Sequence, residues 1–128
     1  MPARPERSRE AAPPKDGLGR ALESFLRHLH DERRLSPHTH AAYDRDLKHL
    51  LGYCESAGVG HWRDLDTHHV RAFVAQRHRQ GLSPASLQRL LSAVRAFYRY
   101  LMREGQAGRD PAADVRGPKL KRPLPKAM

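Results

Sequence analysis

At 128 residues the chain is long enough for one domain with a buried core. Its charge is one-sided: 24 Lys and Arg stand against 14 Asp and Glu, a formal +10 with every histidine neutral, and the pI is near 10.6. That balance favours an anionic partner, nucleic acid or an acidic membrane surface. No run approaches the ~18 apolar residues that span a bilayer, and the N-terminus lacks the apolar stretch of a signal peptide. The single cysteine, Cys54, excludes an internal disulfide and a cysteine-rich zinc module. A cytosolic or nucleoid protein fits these totals.

Residues 1–15 carry four prolines, alternating charges and almost nothing to bury, which predicts a disordered tail. A first helix follows from about Leu18 to Arg33, with Leu18, Leu22, Phe25, Leu26 and Leu29 on one face of a 3.6-residue period. Ser36-Pro37 opens a second helix, because serine caps free N–H groups and proline suits the first helical position. Tyr43, Leu47, Leu50, Leu51 and Cys54 repeat the apolar spacing, and "ESAGVG" stops it. Trp62 and Leu65 are expected to pin the next loop to the core. A shorter third helix is capped by Asp66 or Thr67, faces Val70, Phe73 and Val74 inward, and ends before Gly81. Ser83-Pro84 opens the fourth helix, which Gly105 closes. Beyond it the prolines at 111, 118, 123 and 125 and the loss of periodicity predict an extended basic linker. The organisation is thus a tail over 1–15, an all-α domain of four to five helices over 16–106, and a linker over 107–128.

Advancing about 100° per residue along the fourth helix puts Leu87, Leu90, Leu91, Val94, Phe97, Tyr98 and Leu101 in one arc. Gln88, Ser92, Arg95, Arg99 and Arg103 fall in another, with Arg89 beside it and no carboxylate before Glu104. Solvated helix faces mix signs; this one does not. Arginine's planar fork also suits phosphates and guanine edges. On the second helix Arg45, Lys48 and His49 lie opposite Tyr43 and Leu47, flanked by Asp44 and Asp46. Each Ser-Pro helix start presents spare N–H groups that favour a phosphate. Thr39 and Ser86, one turn in, either donate a hydroxyl to it or bond back to the cap. The tail adds Arg116, Lys119, Lys121, Arg122 and Lys126 with no acid after Asp114. A cationic strap of this kind can track a duplex backbone.

Nine histidines raise a metal site, but His28/His30 and His38/His40 are i,i+2 pairs that diverge on a helix. There is no Gly-rich phosphate loop, no carboxylate pair on an apolar wall and no oriented nucleophile. No catalytic residue, metal or cofactor is expected, nor a membrane or small-molecule ligand.

"LSPHTHAAYDRDLKHLLGYC" resembles the second-helix signature of the tyrosine recombinase (phage integrase) core-binding domain, Ser-Pro-x-Thr, then Tyr, then Asp-Leu. "LSPASLQRLLSAVRAFYRYLMREG" followed by "DPAADVRGPK" resembles that domain's fourth helix and exit linker. "GHWRDLD" and "LPKAM" favour the Xer chromosome-dimer recombinases, the XerC type over XerD. The resemblance covers roughly residues 16–126 and implies a small SAM-like bundle forming one half of a clamp on duplex DNA. It carries DNA contact onto Thr39, Arg45, Lys48, Ser86, Arg89 and Arg95, joined by Arg99 from the stripe, and onto Lys119 and Lys121 in the linker. It implies as partners a double-stranded recombination site and, in the full-length enzyme, XerD-like protomers of a synaptic tetramer. The family's catalytic set, a tyrosine with two arginines, a lysine and histidines, is implied to lie in a further C-terminal domain. None of the four tyrosines here matches the nucleophile's motif. Asp110 stands where the family carries Asn, and both residues start a turn before proline. Two rivals remain open on the sequence: a helical adaptor that docks an acidic protein on its basic face, and an RNA-binding helical module.

Overall fold

The Ser-Pro starts do what their chemistry demands. Ser36 Oγ accepts the Thr39 N–H at 3.1 Å, and Ser83 Oγ accepts the Ser86 N–H at 3.1 Å. Each proline follows at the first helical position, where a missing N–H costs nothing. In the computed structural model, which describes residues 3–31 and 35–117 and side chains from Gly17 onward, four helices result. They are α1 (Ala3–His30), α2 (Pro37–Ala57), α3 (Thr67–Arg79) and α4 (Pro84–Arg103). A 3-10 turn, Trp62–Asp64, links α2 to α3 and is the short fifth element. No strand occurs among the described residues, so the all-α bundle stands as expected. None of their helices is long and apolar enough to cross a membrane.

The helix ends follow equally local rules. Gly58 adopts φ +76°, the left-handed conformation that lets its N–H reach Cys54 O and turn the chain off α2. Asp66 caps α3: its carboxylate accepts the His69 N–H at 2.9 Å while His69 Nδ1 accepts the Asp66 N–H at 3.0 Å. Those hydrogen bonds hold the Asp66 carboxyl below the usual carboxylate range.

Helix α4 is the hub. All seven residues of its expected apolar arc are fully buried, and α1, α2 and α3 each pack on it. Burial on this scale contributes about 1.5–3 kcal/mol for each large side chain. Trp62 then ties the α2–α3 connection to both ends of the fold. Its indole Nε1 donates to Leu18 O at 3.0 Å, its own carbonyl accepts the Tyr98 hydroxyl at 2.6 Å, and its ring meets Phe97 edge-on at 4.8 Å. Desolvation pushes the Tyr98 phenol well above its ordinary range, so it remains a donor.

One boundary differs from the sequence reading. Along residues 3–16, where a tail is expected, the backbone of α1 is helical although Pro13 and Pro14 remove two helical N–H donors, and the buried part of the helix starts at Leu18, where its apolar spacing begins. The expected linker begins too early, because the chain from Asp110 to Val115 packs onto the bundle. Pro111, Ala112 and Val115 are buried, at a spacing with no helical period. Asp110 Oδ1 accepts the Ala112 N–H at 2.9 Å, and Arg95 donates from Nε to Ala112 O at 3.1 Å and from Nη2 to Val115 O at 2.6 Å. Burial pushes the Asp110 carboxyl up, opposed by the Ala112 N–H and by the charges of Arg95 and Arg99. At Gly117 an added Cβ would meet Gln88 Nε2 at 3.0 Å and Leu91 Cδ1 at 3.2 Å. Residues 118–128 lie outside the described residues.

Tyr98→Phe removes one of two donors to the buried Trp62 carbonyl, which keeps the Leu65 N–H at 3.2 Å, and is expected to cost about 0.5–1.5 kcal/mol in urea unfolding followed by circular dichroism. Arg95→Ala is expected to speed amide hydrogen exchange at residues 113 and 115 more than anywhere in α2 or α3. Arg95→Lys does not restore protection, since one ammonium cannot span two carbonyls as the planar fork does.

Candidate nucleic-acid interface

On α2, Asp46 falls three residues after Tyr43 and four before Leu50, in register with the apolar face. Its side chain is only 2% exposed. A carboxylate taken that far from water needs paired donors, and Arg89 of α4 supplies both. Nε donates to Oδ2 at 2.9 Å and Nη2 donates to Oδ1 at 3.0 Å, a side-on bidentate contact between the two helices. These hydrogen bonds push Arg89 further above the ordinary arginine range. About a third of the Arg89 side chain (32%) stays in solvent.

Around this pair positive charge exceeds negative. Arg45 is exposed and, with Ala41, Asp44, Lys48 and His49, lines a shallow groove of about 450 Å³ on α2. Partial desolvation, then Arg77 of α3, holds the His49 imidazole below its usual range; Arg45 adds to this and Asp46 opposes it. His49 is therefore neutral at pH 7, and the local cations are the guanidiniums. Lys48 pairs with Asp44 one turn back at 3.1 Å, an exposed contact worth a few tenths of a kcal/mol. It also faces α1, where it lines a second groove with Arg20, Arg27 and Glu55.

The remaining expected site residues divide. Thr39 and Ser86 both bond back to their caps, through the backbone N–H and through a hydroxyl contact of 3.1 Å to Ser36 and Ser83. On α4, Arg95 is half-buried and committed to the Ala112 and Val115 carbonyls. Arg95 is thus anchored by one edge of its guanidinium, Nε and Nη2, as Arg89 is on Asp46. Arg99 remains exposed, with its charge acting on Asp110. Arg103 lies over the Tyr100 ring at 5.8 Å. Lys119 and Lys121 lie outside the described residues. Asp46 as Arg89's partner and Arg77 as a third cation were not among the expected site residues. For Asp46 the signal was its place in the apolar register.

Histidines separated in sequence do meet: the His30 and His40 rings stand edge-on at 5.2 Å. Among the described residues no group of three or more His, Cys, Asp or Glu is arranged to hold a metal ion. Burial pushes the Cys54 thiol up to about 12, so it remains protonated, a packing group rather than a nucleophile.

With this geometry in hand, comparison with known proteins gives a consistent picture. Residues 22–105 match the phage integrase N-terminal SAM-like domain. The chain is 50% identical over 107 residues to the tyrosine recombinase XerC of Pseudomonas syringae pv. tomato, covering 84% of this chain and 36% of that protein. It is 48% identical over 111 residues to XerC of Pseudomonas fluorescens, covering 87% and 37%. Against XerC of Pseudomonas aeruginosa it is 49% identical over 107 residues, covering 84% and 35%. The chain thus spans about a third of the length of these curated relatives. A crystal structure of the N-terminal domain of a phage integrase/site-specific recombinase from Haloarcula marismortui shares the fold. Its TM-score is 0.70 at 20% identity, over 80% of this chain and 96% of that one. The match takes in α2, α3, α4 and the buried part of α1, and it makes this chain a member of the phage integrase N-terminal SAM-like domain family.

Proposed function

We propose that this chain is the duplex-DNA-gripping, core-binding part of a site-specific tyrosine recombinase of the XerC type. Strand cleavage and rejoining belong to a further catalytic domain, and the whole enzyme resolves chromosome dimers at cell division with XerD-like protomers in a synaptic tetramer. The observation that carries the reading is the family match over residues 22–105, a stretch whose helices leave Arg45, Lys48 and Arg99 exposed and Arg89 partly so. A surplus of guanidiniums around a single buried carboxylate is electrostatically incomplete until an anion arrives. The positive dipole ends of the two Ser-Pro helix starts favour the same partner. Thr39 and Ser86, already bonded to their caps, remain hydroxyls that can add a phosphate contact without leaving them. Lys119 and Lys121 follow the duplex beyond the bundle.

About five phosphate contacts drawn from Arg45, Lys48, Arg89, Arg99, Lys119 and Lys121 give a plot of log K against log salt a slope of about −4 to −5. Replacing Arg45 and Arg99 together by Ala is expected to flatten that slope by about one to two units in fluorescence-anisotropy titrations. An unchanged slope removes both side chains from the duplex. A rival partner, an acidic protein, requires that duplex DNA fail to compete for the same face. His49→Gln is expected to leave affinity at pH 7 unaltered, because the wild-type ring is neutral there. With its pKa lowered, the ring protonates only below the ordinary imidazole range, and wild type gains affinity over the variant only there.

A further inference from the structure

Arg89 has two edges, and the fold uses one. Its Nε and one Nη2 hydrogen lie side-on against Asp46 at 2.9 and 3.0 Å. A guanidinium carries five N–H groups in a fixed plane. Three therefore remain, and the Nη1–Nη2 edge is turned away from the carboxylate that holds the other side. The burial is unequal: Asp46 is 2% exposed and Arg89 32%. The carboxylate is sealed among α2 and α4 side chains while the cation reaches the surface.

We infer that Asp46 is a positioning residue for Arg89: it clamps the guanidinium side-on and presents the end-on edge as a rigid donor pair for one planar two-acceptor group of the duplex. The inference rests on the duplex-binding reading above and deepens it. A free arginine must order a long side chain when it binds; this one is ordered beforehand, so less of the contact energy is lost. The acceptor is a phosphate or the O6/N7 edge of a guanine, which share the geometry the fork recognises. A lysine cannot substitute, because one ammonium satisfies either the carboxylate or the nucleic acid and has no second edge.

A merely structural ion pair and a positioning pair differ in sign at Asp46. Asp46→Asn removes a negative charge from a face that binds an anion, so electrostatics alone tightens binding. Loss of the clamp weakens it. The test titrates the whole chain, at fixed salt and with the folded fraction checked by circular dichroism, against two fluorescein-labelled duplexes, one of mixed sequence and one of alternating A·T without guanine. Arg89→Lys, which keeps the charge and an ammonium facing Asp46, is expected to weaken binding about 5- to 150-fold. Equal loss on both duplexes identifies a phosphate; loss confined to the mixed duplex identifies a guanine edge. Asp46→Asn is expected to weaken binding on the same duplexes as Arg89→Lys. If Arg89→Lys binds both duplexes as wild type does, or if Asp46→Asn binds them equally or more tightly, the positioning role is wrong while duplex binding stands. If the wild-type chain binds neither duplex, the duplex reading falls and this inference with it.

Discussion

Helix α4 must be buried along most of its circumference, and the rest of the structure is arranged to meet that demand. Leu87, Leu90, Leu91, Val94, Phe97, Tyr98 and Leu101 have no exposed surface left. One neighbouring helix covers only part of such an arc, so α1, α2 and α3 all pack on it, and the exit segment from Asp110 to Val115 contributes Ala112 and Val115 to the same core. The polar tie points sit on α4 as well: Tyr98 to Trp62, Tyr100 to the Ser24 hydroxyl at 2.7 Å, Arg89 to Asp46 and Arg95 to the exit segment. A helix held from so many directions has few ways to shift. That rigidity suits the proposed role of its outer side against a regular polyanion.

Three arginines of α4 show how one residue type divides its labour. Arg89 satisfies a sealed carboxylate, Arg95 satisfies two backbone carbonyls, and Arg99 is left to solvent. A charge count treats the three alike. Their freedom differs: Arg89 and Arg95 are each anchored through Nε and Nη2, while Arg99 is exposed. Net charge describes the long-range field, which attracts an anion; hydrogen-bond geometry decides which cations can close on it.

Much of this was legible in the residues. The helical period placed the apolar face of α4 without error, and the Ser-Pro starts marked α2 and α4 to the residue. Cap chemistry is local, and amphipathic spacing needs only neighbours three and four apart. What stayed hidden was long-range or aperiodic. Asp46 meets Arg89 across 43 positions, and no local rule predicts that pairing, although an acid in the apolar register signalled an absent partner. Pro111, Ala112 and Val115 carry no repeating pattern, so their burial shows only once Arg95 is seen to fold them back. The packed part of α1 was legible from Leu18 onward, where its apolar spacing begins.

The family match ends at residue 105, yet the packed chain runs on to Val115 and its close approach to α4 extends to Gly117. A module excised at the match boundary would therefore be trimmed through its own roof, baring apolar surface that Ala112 and Val115 cover. It would also strand the Arg95 fork with nothing to hold. In any graft or fusion, the seam belongs past Gly117, where the described packing against the bundle ends.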